Sequence, residues 1–181
     1  MNDSFIIFAG LMKIFKIFQL KMLRKRASKI VRTVKLRNLD QVQKIGILWN
    51  EGDSKAYNYL HEQFKPTKVI IRNLCFTNNK DLDDSNMITS KDLNWLGFPG
   101  GGNIETFIQA DFDLLLNLSV KQNFALDVIT ALSAAAFKIG WDREKLGFYD
   151  LTIDVSEKPE ALFLAEQQIY YLKQFNKNSN V

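Results

Sequence analysis

The sequence predicts an α/β fold of three layers: a mostly parallel sheet of about four to five strands, helices on both faces, and a basic amphipathic helix in front. Three observations predict it. From Lys44 onward, short aliphatic and β-branched runs alternate with segments of helical periodicity. Several of the strand-like runs are joined through helical segments, the crossover connections that parallel strands need. The first 43 residues differ from the rest in charge and hydropathy.

The elements follow in order. Phe5–Leu23 is very apolar (FIIFAGLMKIFKIFQLKML) and about as long as a membrane span, but Lys13, Lys16 and Lys21 interrupt it. A charge at mid-span costs roughly 2.5–3.5 kcal/mol on insertion scales, so three argue against spanning. It does not read as a secretory signal either, because Asp3 and no base precede the run and no small-residue cleavage site follows. On a helical wheel the lysines and Arg24 fall to one side, and Phe8, Leu11, Phe15, Phe18 and Met22 form an apolar face for a membrane or a partner. Met1, Met12 and Met22 are each competent initiators, which leaves residues 1–11 open as an over-extended reading frame.

Lys44–Trp49 reads as the first strand. Asn50–Asp53 is a turn, and Ser54–Phe64 a helix started by Asp53 or Ser54 and stopped by Pro66. Lys68–Phe76 is the second strand. Thr77–Asp92 is polar and reads as a loop, and Asn103–Gln109 as a short helix. Asp111–Leu118 is the third strand. Asn123–Lys138 is the most regular helix, with apolar residues at 124, 128, 131, 132, 135 and 139 and Gly140 at its end. Phe148–Val155 is the fourth strand and Glu160–Phe175 the last helix. The order is Rossmann-like. Residues 1–43 form a basic helical arm, 44–176 a single α/β domain, and 177–181 a frayed tail.

Composition narrows the function. At 181 residues one domain is the natural size, and 46% hydrophobic with 24% charged residues excludes wholesale disorder. A single Cys (Cys75) and a single His (His61) exclude an intrachain disulfide, a zinc finger and a multi-His metal centre. The net charge of +4 hides a division. Residues 1–44 carry eleven Lys/Arg against two acids, a balance of +9, and the remainder carries thirteen against eighteen, or −5. An arm of one sign points to an anionic partner, or to docking on the protein's own acidic body. Arg24, Lys25, Arg26, Lys29, Arg32, Lys35 and Arg37 are the candidate phosphate contacts. No aromatic lies among residues 24–37, so base stacking is not expected there.

Ligands of open α/β sheets bind beyond the carboxyl ends of the strands. Asn50, Glu51, Asp53, Thr77, Asn117, Ser119, Asp154 and Ser156 fall there, and such residues also serve as turn formers and caps. Gly100–Gly102 fits neither phosphate-binding glycine motif. Asp111 and Asp113, and Asp150 and Asp154, share strand faces, but Asp111 and Asp150 sit at strand beginnings and read as strand delimiters. Phe112–Asn117 (FDLLLN) and Tyr149–Asp154 (YDLTID) echo one another. No catalytic constellation, metal site or cofactor motif is present in the sequence pattern.

The segments KIGILWNEGD (44–53), DLNWLGFP (92–99), DFDLLLNLSVKQNFALDVITALSAAAFKIG (111–140) and FYDLTIDV (148–155), with the basic N-terminal helix, resemble an uncharacterised family of bacterial proteins of unknown function. That resemblance covers nearly the whole chain and carries no activity. More loosely, DFDLLLNLS with AAAFKIGW is similar to a segment of the N-terminal Rossmann-like domain of lipopolysaccharide heptosyltransferases, two-domain GT-B enzymes. It implies a one-domain relative without the transferase chemistry. The expectation is a cytoplasmic, non-catalytic binding protein whose arm contacts structured RNA or a ribonucleoprotein. The alternatives are a peripheral protein on an anionic membrane and a domain that binds a nucleotide or sugar nucleotide.

Overall fold

The computed structural model describes residues 3–79 and 84–178, with side chains described for 10–79 and 84–175. Helix α1 (Asp3–Ala27) is followed by an extended strap, broken only by a short turn of 3-10 helix at Leu39–Gln41. Then come β1 (Lys44–Asn50), α2 (Ser54–Phe64), β2 (Ile70–Phe76), β3 (Met87–Ile88), α3 (Gly102–Gln109), β4 (Leu114–Asn117), α4 (Phe124–Leu132), β5 (Phe137–Gly140), β6 (Leu151–Thr152) and α5 (Ala161–Asn178).

The sheet has the order β3-β2-β1-β4-β5-β6, and every neighbouring pair is parallel. This is the Rossmann order, with its switch point between β1 and β4. Alternation along β1 supplies both cores. Ile45 and Ile47 pack with Leu114 and Leu116 against Leu60 of α2 and Leu164 and Ile169 of α5. Leu48 and Leu115 pack with Phe107 of α3 and Leu126 and Ile129 of α4 on the other face. At Gly46 the approach is close: a Cβ would lie 2.9 Å from Leu115 and from the Phe112 ring. A third cluster places α1 outside α4, where Leu23, Phe15 and Met22 meet Val128, Ala131, Leu96 and Phe98.

The structure corrects several parts of the expectation. The sheet has six strands, not four to five. The helix expected over Asn123–Lys138 ends at Leu132, and Phe137–Gly140 is a strand. Alanine propensity is overridden there because the backbone N–H groups of Ala134 and Ala136 donate to Ile108 and Phe112 instead of to the preceding helical turn. Lys138 is buried and its Nζ donates to the α4 carbonyls of Thr130 (2.7 Å) and Ala131 (3.4 Å). The arm is helical only to Ala27, and residues 28–43 cross the amino-terminal edge of the sheet. Within the loop expected at 77–92 lies β3, too short for periodicity to register. Helix α5 runs past the expected domain end at 176, and residues 179–181 of the expected tail lie outside the described residues.

Candidate functional site

The carboxyl edge brings together most of the predicted pocket residues, and they bond to one another. Asn50 donates from Nδ2 to Ser119 Oγ (3.0 Å) and Asp53 Oδ2 (3.2 Å), and accepts from Asn123 at 2.9 Å. Asn123 also caps α4 by accepting from the N–H groups of Ala125 and Leu126. Thr77 donates its hydroxyl to Glu51. Asn117 is 1% exposed; its amide donates to Thr130 Oγ1 (3.1 Å) and Tyr149 Oη (2.9 Å), and its Oδ1 accepts from the N–H of Ser119. Burial raises the pKa of the Tyr149 phenol, so it stays neutral where it accepts from the Asn117 amide.

This is where a Rossmann-order sheet ordinarily receives a pyrophosphate, at the start of the first crossover helix. Here Glu51 and Asp53 put carboxylates at the start of α2. Their sign opposes an anionic ligand at that point. Asp154 stands apart. It accepts from the N–H of Ser156 at 2.8 Å, which lowers its pKa, and it lines an open pocket of about 380 Å3 with Trp141, Arg143, Lys145 and Ser156. Burial, reinforced by Glu51 and Asp53, pushes the Cys75 thiol up to about 12, so it carries no thiolate near neutrality. Among the described residues no group of His, Cys, Asp and Glu is arranged to hold a metal ion.

The amino edge is where the arm meets the body. Arg32 grips Asp150 with both terminal nitrogens, Nη2 to Oδ1 at 2.6 Å and Nη1 to Oδ2 at 2.8 Å. Arg37 Nε pairs with Asp113 at 2.6 Å. The backbone N–H of Lys35 donates to Ala136 at 3.0 Å. Both aspartates also take backbone donors, Asp150 from Lys138 and Asp113 from Gln43 and Lys44. Asp113 and Asp150 occupy the same position in the two echoing segments. The echo therefore marks a repeated arrangement, in which an aspartate at a strand start accepts from a neighbouring strand and from an arginine of the strap. Reading Asp150 only as a strand delimiter missed this. Asp111 takes Lys44 Nζ at 2.6 Å, and that hydrogen bond lowers its pKa.

The predicted phosphate contacts divide accordingly. Arg32 and Arg37 are paired to the body, and the guanidinium of Arg26 lies 4.6 Å from the centre of the Phe98 ring. Arg24, Lys25, Lys29 and Lys35 are exposed and make no ion pair with a described residue. Lys13 and Lys21 share that condition, whereas Lys16 pairs with Glu144 at 3.1 Å. The predicted apolar face divides too. Phe15 and Met22 turn to the body, Leu11 and Phe18 are exposed, and the side chain of Phe8 lies outside the described residues. No described helix is long and apolar enough to cross a membrane.

A family model described as a family of unknown function (DUF6913) matches residues 16–175, most of the chain. The chain belongs to this family. The DUF6913 match takes in most of the docked part of α1, both strap arginines and their aspartates, and the whole sheet, and it begins just after Phe15. No curated protein and no solved structure matches the chain, so the likeness to heptosyltransferases rests on the quoted residues alone. Sequence reasoning about this DUF6913 chain also missed Leu23, which is fully buried under α1, and Gln19, whose Nε2 donates to the Leu96 carbonyl at 2.8 Å. The signal for both was the helical spacing that puts residues 15, 19, 22 and 23 along one side of the helix.

Proposed function

We propose that the protein is a non-catalytic binding protein whose N-terminal helix and strap present cations to a polyanion. One observation carries this reading: Lys13, Lys21, Arg24, Lys25, Lys29 and Lys35 are exposed without an ion pair among the described residues, in a stretch with no acid between Asp3 and Asp40. Among the described residues the ion pairs from α1 and the strap to the body are those of Lys16, Arg32 and Arg37. Structured RNA, a ribonucleoprotein and an anionic membrane surface each offer the required phosphates.

Such contacts release counterions, so affinity falls by about 0.7–0.9 logarithmic units per neutralised phosphate for each tenfold rise in salt. The test replaces Arg24, Lys25, Lys29 and Lys35 together with Gln. The expected result is a salt slope smaller by roughly three, with the melting temperature unchanged. An unchanged affinity for structured RNA and for every other polyanion tried would remove the proposal. A small-molecule reading is favoured by the pocket beside Asp154, where Trp141 and Arg143 offer stacking and charge. A thermal-shift series with nucleotides and sugar nucleotides tests it, and the absence of any shift would count against it.

A further inference from the structure

We infer that the anion met by this helix is the headgroup layer of a lipid bilayer, and that the part of α1 ahead of Phe15 inserts among the acyl chains. The inference rests on the proposed polyanion contact and adds the partner's identity.

Four successive residues carry it. On a helix, neighbours point about 100° apart, so Leu11, Met12, Lys13 and Ile14 together face every direction. All four are exposed, Leu11 at 60%, Met12 at 54% and Ile14 at 65%. No side of α1 rests on the body at this level. One turn later Phe15 and Gln19 face inward, and the helix is docked from there to Ala27. The docked part still shows Ile17 at 66% and Phe18 at 44% on its outer side, next to Lys21 and Lys25. The sequence ahead of this level, Phe5–Phe8, is apolar throughout.

A surface that alternates bulky aliphatic side chains with unpaired cations matches an anionic bilayer. The aliphatic groups enter the hydrocarbon, and the lysines reach back to the headgroups along their own methylene stems. Nucleic acid would use the cations and leave Leu11, Ile14 and Ile17 in water. A second copy would bring together two helices that carry no acid beyond Asp3, with Lys13 and Lys21 facing like charge. Because the helix is too charged to span, it lies within one leaflet.

The test uses full-length protein with three probes at one ionic strength: phosphatidylcholine vesicles, the same vesicles containing phosphatidylglycerol, and a structured RNA. Two variants accompany it, Leu11→Ser/Ile14→Ser/Ile17→Ser and the four-fold Gln variant. The replaced aliphatic side chains are exposed, so circular dichroism and melting should be unchanged. The expected result is binding to the phosphatidylglycerol vesicles that the serine variant weakens by at least about tenfold. Its residual RNA binding should be unaltered. Vesicle binding unaffected by the serines overturns the insertion and leaves the polyanion contact standing. RNA binding with no vesicle binding overturns the bilayer as partner and again leaves that contact. No binding to any probe, with no effect of charge neutralisation, removes both readings.

Discussion

Breaking the pair between Arg32 and Asp150 separates a structural strap from a free anion-binding arm. The perturbations are Arg32→Met, Asp150→Asn and the two combined. The side chains are 18% and 11% exposed, so water screens the pair only in part. The aspartate accepts three bonds: two from the guanidinium and one, at 2.9 Å, from the N–H of Lys138. Surface pairs contribute about 0–1 kcal/mol, whereas removing one partner of a buried pair costs about 3–5 kcal/mol. Asp150→Asn leaves the guanidinium with the Ala135 carbonyl at 3.2 Å and turns a donor against a donor, for a cost of about 3 kcal/mol. Arg32→Met leaves a carboxylate that keeps its backbone donor, for about 2 kcal/mol. The double variant should cost about 3 kcal/mol, which makes the coupling about 2 kcal/mol. Urea unfolding followed by circular dichroism and tryptophan emission measures all three, and Asp150→Asn should lower Tm by about 6–12 °C. A coupling below about 0.5 kcal/mol would refute the reasoning. The same Arg32→Met protein, kept well below its Tm, should bind polyanions as the wild type does.

Two further outcomes are expected. Burial, reinforced by Asp142 and Glu144 and opposed by Lys16, pushes the Asp127 carboxyl up to about 7. A carboxyl whose folded pKa is raised holds its proton better folded than unfolded. Its contribution is therefore complete below the unfolded value near 4 and is lost as pH rises through about 7. Asp127→Asn should remove that decline, so the urea midpoint changes less between pH 5 and pH 8, with a gain at pH 8 on the order of 1–4 kcal/mol. Gly46→Ala should cost about 1–3 kcal/mol in the same assay, because the added methyl meets Leu115 and Phe112 at 2.9 Å and Phe107 at 3.0 Å in a packed core.

Much of the sheet was legible because its strands carry local signals. Lys44–Trp49 and the second strand are aliphatic runs bounded by turn residues, and Ser54–Phe64 coincides with α2. What failed was non-local. Ser133–Gly140 has helical composition, and only the demand for a strand beside β4, with Ala136 donating to Phe112, extends it. The strap is extended because Asp113 and Asp150 hold it, and no window containing residues 28–43 includes those partners. The carboxyl-edge residues were legible as strand ends, since turn formers mark them. That Asn50, Ser119 and Asn123 bond each other depends on how β1 and β4 pair. Asp154 was grouped with them by position along its strand, but β6 lies at the far end of the sheet.

The strap also orders events during synthesis. Arg32 and its partner Asp150 are 118 residues apart, and α1 rests on residues from Leu96 to Phe148. The arm is thus made first and seated last. At about 5–20 residues per second, roughly ten seconds pass between translation of Arg32 and translation of its partner. Throughout that interval α1 and the strap lack the partners that seat them in the finished fold. The carboxyl-terminal half of the domain is therefore required before the arm can be held in place.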